Sequence, residues 1–142
     1  MRSFFLMLFF TSFLFSCSTE PLPIEYGFDH CNFCEMTVVD KGHAAVLVSS
    51  KGKTYKFDAI ECMIHFYHRS DEMKFSTFLV CDYTNSGNLI KAEGANFLIS
   101  EGIPSPMGGF LSAISDKQVA LDLQSEKGGE LFHWDEVLTK FQ

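Results

Sequence analysis

Apolar and polar residues alternate in short stretches along most of this chain, a pattern typical of a small domain with both helices and strands. The apolar stretch 44–48, a Gly-containing turn at 50–52 and the alternating stretch 53–57 predict a β-hairpin. Residues 59–68 place apolar side chains at helical spacing and predict a helix with one buried face. Residues 78–81 predict a further strand.

Two details near the hairpin depend on residue type. The β-branched residues within 36–39 predict a strand before the hairpin. Asp58 and Glu61 have the spacing of a capping box, with an acid at the cap and Glu three residues later. Asp58 is therefore expected to cap the helix.

The second half of the chain follows a similar plan. Residues 89–91 and 95–99 predict strands, 110–114 predict a short helix, and 119–123 predict another strand. Residues 134–141 carry an apolar helical stripe and predict a terminal helix. Each half is therefore expected to contain strands around one helix, with a linker between the halves at 84–88.

The first residues have the features of an export signal. Arg2 precedes about a dozen mostly apolar residues at 4–15, which is too short to span a bilayer. Ser16 followed by Cys17 is similar to a bacterial lipobox, which would make Cys17 the lipidated mature N-terminus. The expected organisation is a signal peptide at 1–16, a tether at 17–25, a first unit at 26–84 and a second unit at 85–142.

Net charge, cysteine content and the absence of catalytic motifs limit the classes of function that this chain can have. The net charge is −7, which argues against a nucleic-acid-binding protein because such a protein needs a basic face. The chain has five cysteines, and four of them follow Cys17. An exported protein meets an oxidising compartment, so disulfide pairing of these four has to be weighed. The chain carries none of the common catalytic sequence motifs, and we expect that it is not an enzyme.

The segment 30–36 concentrates sulfur. Cys31, Cys34 and Met36 lie within it, and on a strand Cys34 and Met36 would point to the same face. Thiolate and thioether ligands favour monovalent copper over ions that prefer oxygen. His30 and His43 are candidates for a further ligand.

The same segment permits other interpretations. A zinc ribbon would need a second paired motif, but Cys62 and Cys81 are single and far apart. A dithiol oxidoreductase using Cys31 and Cys34 would place them at a helix N-terminus, whereas a β-branched stretch follows here. A third interpretation is an exported lipoprotein whose cysteines are purely structural.

Other candidate residues have two interpretations each. Met107 lies on a Pro- and Gly-rich loop, where it either presents a thioether or begins an apolar helix face. Cys62 belongs to the core or reaches the sulfur-rich segment, and Cys81 is expected to be a core thiol. His65 and His68 fall on the polar side of the predicted helix.

The order of short motifs along the chain resembles the NosL family, which comprises lipoprotein copper chaperones for nitrous oxide reductase. The similarity extends over nearly the whole chain after the leader. It rests on Tyr26-Gly27-Phe28-Asp29, Cys31-x-x-Cys34-x-Met36, His43-Ala44-Ala45, Lys56-Phe57-Asp58, Cys62-Met63, Asp82-Tyr83 and Pro106-Met107-Gly108.

This resemblance implies an α+β fold of two small ββαβ units in tandem, similar to the organomercurial-lyase fold. It implies that Cys34, Met36 and Met107 bind one Cu(I) ion; Cys31, Cys62 and His30 are candidates for additional metal or redox roles. It also implies delivery of the ion, on the periplasmic side of a bacterial membrane, to the copper–sulfur centre of nitrous oxide reductase through a complex that includes an ABC transporter.

Overall fold

The structure is a computed structural model that describes residues 20–142. The predicted signal peptide and Cys17, the predicted lipidation residue, lie outside these residues. Among the residues described, no helix is both long enough and apolar enough to cross a bilayer.

The first unit is an antiparallel sheet with one helix. The strand order is β2-β1-β3-β4, and β1, which has a neighbouring strand on each side, is buried along its whole length. The elements are β1 (Ala45–Ser49), β2 (Thr54–Phe57), α1 (Ile60–His68), β3 (Phe75–Cys81) and β4 (Leu89–Lys91).

The second unit repeats this arrangement with a smaller sheet of order β6-β5-β7, again antiparallel. A 3₁₀ turn at Ala92–Gly94 leads into it. Its elements are β5 (Asn96–Ile99), β6 (Leu111–Ile114), α2 (Lys117–Lys127), β7 (Glu130–Phe132) and α3 (Trp134–Lys140).

The predicted fold class is confirmed, since β1-β2-α1-β3 and β5-β6-α2-β7 are two ββαβ units in which the first strand is central. The boundary between residues 84 and 85 stays a prediction. Strand β4, which follows that boundary, pairs with β3 of the first sheet.

Two elements of the second unit differ from the sequence prediction. Residues 111–114 form strand β6 and not a helix, because the buried stretch pairs with β5. Residues 119–123 lie in helix α2 and not in a strand, because the Asp116 side chain accepts hydrogen bonds from the backbone N–H groups of Gln118 and Val119 and so caps a helix there.

One hydrophobic core joins the two units. It contains Phe57 and Ile60 of the first unit together with Phe97, Leu111 and Trp134 of the second. The Phe97 and Trp134 rings pack with their centroids 5.4 Å apart. The two sheets also meet through a parallel bridge between Asp82 and Ala113. Side chains from both units can therefore contribute to one site.

Candidate metal site

The sulfur-rich segment forms a closed loop and not the predicted strand. The backbone N–H of Cys31 donates to the carbonyl of Met36 over 2.8 Å, and the N–H of Glu35 donates back to the carbonyl of Cys31 over 3.0 Å. Glu35 adopts a left-handed conformation with φ of 67°, which turns the chain sharply after Cys34. The prediction of a strand at 36–39 is therefore wrong, and Cys34 and Met36 do not share a strand face. Among the described residues, this segment forms only one isolated bridge, from His30 to Thr37.

This loop is bound to strand β2. The Asn32 N–H donates to the Lys56 carbonyl over 2.8 Å, and the Lys56 N–H donates to the Asn32 side-chain oxygen over 2.7 Å. The Lys56 ammonium also contacts the Asp29 carboxylate over 2.6 Å. Because β2 leads directly into Asp58 and helix α1, these bonds bring the loop against the start of that helix.

Four side chains meet where the loop and the helix touch. The sulfur atoms of Cys31, Cys34 and Cys62 and a carboxylate oxygen of Asp58 all lie within 4.8 Å of one another. We call these four residues the thiol cluster. Cys31, Asp58 and Cys62 are buried, at 2%, 2% and 0% exposure, whereas Cys34 is partly exposed. Cys34 is thus the member of the cluster that an incoming ion would meet first.

Asp58 does not cap helix α1. The N-cap residue is Ala59, and no side chain caps this end of the helix. The Asp58 carboxylate instead accepts a hydrogen bond from the Cys34 thiol over 3.3 Å. The prediction of a cap is wrong because the Asp58 carboxylate bonds to the Cys34 thiol and not to the backbone N–H groups of the helix.

Hydrogen bonds inside the thiol cluster distribute its protons unequally. The Cys62 thiol donates to the Cys31 sulfur and, with further bonds from backbone N–H groups, lowers the pKa of Cys31 to about 6. The same bond, together with burial, raises the pKa of Cys62. Burial raises the pKa of Cys34 to about 11. Cys31, with its lowered pKa, is therefore the sulfur of the metal-free cluster that loses its proton first, ahead of Cys34 and Cys62.

This proton distribution predicts a titration that can be observed. In the metal-free protein, ultraviolet thiolate absorbance should show one thiolate appearing as the pH rises through about 6. The Cys62→Ala variant removes the donating thiol, so the midpoint should rise toward the ordinary thiol value. Cys81→Ala, outside the cluster, should leave the midpoint unchanged. If the midpoint is the same in the Cys62→Ala variant as in the parent, the Cys62 thiol does not lower the pKa of Cys31.

The two candidate methionine ligands lie at the surface. Met36 is 47% exposed and Met107 is 39% exposed. Met36 is held in the loop through its carbonyl, which accepts the hydrogen bond from the Cys31 N–H. Met107 belongs to the turn Ser105–Gly108, which is closed by a hydrogen bond of 3.0 Å from the Gly108 N–H to the Ser105 carbonyl. It does not begin a helix, which resolves the two interpretations of this residue in favour of a loop position.

Glu61 connects the Met107 turn to helix α1. Glu61 is only 2% exposed, and its Oε1 accepts a hydrogen bond of 2.5 Å from the Ser105 hydroxyl. The backbone at Gly109 passes so close that a Cβ atom there would lie 2.5 Å from the same oxygen. Since Glu61 directly precedes Cys62, this contact fixes the Met107 turn relative to the thiol cluster. We call it the Glu61 contact.

The histidine candidates are placed elsewhere. His30 is exposed and does not belong to the thiol cluster. His43 is buried, with one ring nitrogen 3.0 Å from Asp40 and the other 3.1 Å from Ser112, so both nitrogens are already engaged. This arrangement makes His43 a link between the two units.

Three further candidates are accounted for by packing. His65 and His68 were expected at the surface, but both are half-buried. The His65 ring stacks on Phe33. A ring nitrogen of His68 forms a hydrogen bond of 2.8 Å with a backbone carbonyl of α3. Cys81 is fully buried, as expected for a core thiol, and lies 3.2 Å from the Tyr26 hydroxyl.

Sequence reasoning missed two residues of this region. Asp58 and Glu61 were both assigned to the capping box, but one belongs to the thiol cluster and the other holds the Met107 turn. Asp58 precedes the Ala59 N-cap and so lies outside the helical periodicity, and the local pattern therefore gave no signal for its place in the cluster.

Comparison with known proteins agrees with the fold and with the order of motifs. The chain matches the solved structure of the copper chaperone NosL from Shewanella denitrificans with a TM-score of 0.72 and 20% sequence identity, covering 84% of this chain and 96% of that one. A comparison with curated proteins gave no match. The prediction that the chain is not an enzyme agrees with its match to NosL, a copper-chaperone family. The sequence profile of NosL matches residues 24–141, and the chain therefore belongs to the NosL family.

Proposed function

We propose that this protein is a metallochaperone that binds Cu(I) and passes it to an acceptor protein. The observation that carries the proposal is the thiol cluster, in which the partly exposed Cys34 stands in front of two buried thiols. Three sulfur donors suit a soft monovalent ion. The NosL protein of known structure is a copper chaperone, which supports the same role here.

The transfer ligands in this proposal are Cys34, Met36 and Met107. Cys34 supplies a thiolate, and the two exposed methionines supply thioethers, which are neutral soft ligands. An ion held at the surface by one thiolate and two neutral donors can accept a ligand from an acceptor before its own bonds break. Cys31 and Cys62 are additional donors from the same cluster. His30, which is exposed and lies outside the cluster, is a further candidate.

The proposal extends to the location and the partners. A lipid on Cys17 would anchor the protein on the periplasmic side of a bacterial membrane, with residues 17–25 as the tether. The acceptor would be a maturation complex that includes an ABC transporter and supplies the copper–sulfur centre of nitrous oxide reductase. Support for these details comes from the motif resemblance and from membership of the NosL family.

The function can be tested by a copper titration. The full-length protein, kept under reductant, should retain one Cu(I) per chain against a chelator specific for monovalent copper. A parallel count on the metal-free protein should find Cys31, Cys34, Cys62 and Cys81 as free thiols. If these thiols are free and no Cu(I) is retained, the chaperone proposal is wrong.

The dithiol oxidoreductase alternative has one observation in its favour, the lowered pKa of Cys31. The attacking thiol of such an enzyme has to be both a thiolate and accessible. Here Cys31 is buried, and the accessible Cys34 has a raised pKa of about 11. The geometry therefore favours metal binding over thiol–disulfide exchange.

A further inference from the structure

The thiol cluster contains more donors than the transfer ligands use. Of the three clustered sulfur atoms, only that of Cys34 belongs to the set formed with Met36 and Met107. Cys31 and Cys62 are buried immediately behind it. Cys31, Cys34 and Cys62 could therefore form a second ligand set on the buried side of Cys34.

Packing alone does not account for this arrangement. Buried cysteines behave as small apolar residues and need no charged neighbour. Here the three sulfur atoms lie within 4.8 Å of a carboxylate oxygen of Asp58, which is 2% exposed and has the Cys34 thiol as a hydrogen-bond donor. A buried carboxylate is costly unless it has partners, and a bound cation would offset its charge.

The spacing of the sulfur atoms suits a single ion. Thiolates bound at about 2.3 Å to one ion lie roughly 4 Å from one another. The clustered atoms already lie within 4.8 Å of one another. To bind one ion together, the three sulfur atoms would therefore each move by about 1 Å or less, which small side-chain rotations can provide.

We propose that Cys31, Cys34 and Cys62 form an inner ligand set that holds Cu(I) in a closed state, and that Cys34 is shared with the outer set of Met36 and Met107. This inference rests on the proposed function and adds an internal position for the same ion. The ion moves between the two sets by exchanging the Cys31 and Cys62 sulfurs for the two thioethers while Cys34 stays bound.

The exchange involves no change of oxidation state. Copper remains Cu(I) throughout. A donor that is still a thiol loses its S–H proton to solvent when it binds, and takes up a proton again when the metal–sulfur bond breaks; Cys31, with its lowered pKa, binds as the thiolate. Buried donors hold the ion away from water and from competing ligands, whereas the outer set exposes it to an acceptor. The shared Cys34 keeps the ion bound throughout this change.

The decisive test removes the outer donors. In the full-length Met36→Ala/Met107→Ala variant, one equivalent of Cu(I) should still bind, and X-ray absorption should show three sulfur neighbours. Within the two proposed sets only the three thiols can supply these neighbours, because the outer set of this variant retains Cys34 alone. Both substituted side chains are exposed, so the variant is expected to fold.

A second variant tests the inner donors. Cys31→Ala/Cys62→Ala should lower Cu(I) affinity at least ~10-fold, and Cys81→Ala serves as the control for loss of a buried thiol. The inference is wrong if the methionine variant loses its copper or keeps fewer than three sulfur neighbours, or if the double cysteine variant binds as tightly as the parent. Those results leave the proposed function intact, whereas a parent protein that binds no Cu(I) would overturn both.

Discussion

Replacing Cys34 with serine is expected to lower the Cu(I) affinity by at least ~100-fold, since loss of even a supporting residue around a metal ligand costs about 10- to 100-fold. Cys34 is the partly exposed member of the thiol cluster, and it belongs to both proposed ligand sets. A hydroxyl is a harder donor than a thiolate and binds monovalent copper poorly. The change can be measured by competition with a chelator of known affinity.

The control for this substitution is Cys81→Ser, because Cys81 is a buried free thiol outside the cluster. It should lower the stability of the protein, since a fully buried thiol is replaced by a more polar group, but it should leave copper affinity nearly unchanged. If the Cys34→Ser variant and the parent bind copper with equal affinity, Cys34 is not a ligand of the site.

Replacing Gly109 with alanine is expected to lower the free energy of unfolding by about 1–3 kcal/mol, the usual cost of overpacking. The added Cβ would lie 2.5 Å from Glu61 Oε1 and 2.7 Å from its Cγ. Glu61 is buried and bonded to Ser105, so its side chain cannot simply move into solvent. The turn that carries Met107 has to shift instead, and denaturant unfolding would measure the cost.

Gly94→Ala is the matched control. A Cβ at Gly94 would have no neighbour within 4 Å. This substitution should change the free energy of unfolding by no more than about 0.5 kcal/mol. Similar losses in both variants would mean that the close approach of Gly109 to Glu61 is not the cause.

The same substitution should also slow transfer of Cu(I) to a chelator, because it displaces the Met107 thioether from the outer set. If it acts through Met107, adding Gly109→Ala to a Met107→Ala variant should have no further effect on the transfer rate. Additive effects in the double variant would instead show that Gly109 influences transfer by another route.

The hairpin and the helix of the first unit could be predicted from sequence because their signals are local. The alternation over β2 and the helical spacing over α1 each determine one element without reference to the rest of the chain. In the second unit the apolar stretch at 111–114 is too short for its periodicity to distinguish a strand from a helix. Its partner is β5, and that pairing is visible only in three dimensions.

The candidate site shows the same division. Cys31 and Cys34 could be singled out because they are close in sequence, whereas Cys62 was left between a core position and a site position. The carboxylate of Asp58 joins them from 24 residues away, and the Met107 turn is held by a bond that spans 44 residues. Such convergence depends on tertiary packing, which local patterns do not encode.

The Glu61 contact also has a consequence for the order of folding. The thiol cluster requires only the loop, β2 and α1, but the bond from Ser105 to Glu61 joins residues 44 apart and requires the second unit to be in place. Contacts between distant residues tend to form late, because a longer loop has to close first. We therefore expect the three thiols to gather, on average, before the Met107 turn packs against Glu61. A chain emerging N-terminus first would be most vulnerable to oxidation and to capture of the wrong ion during that interval.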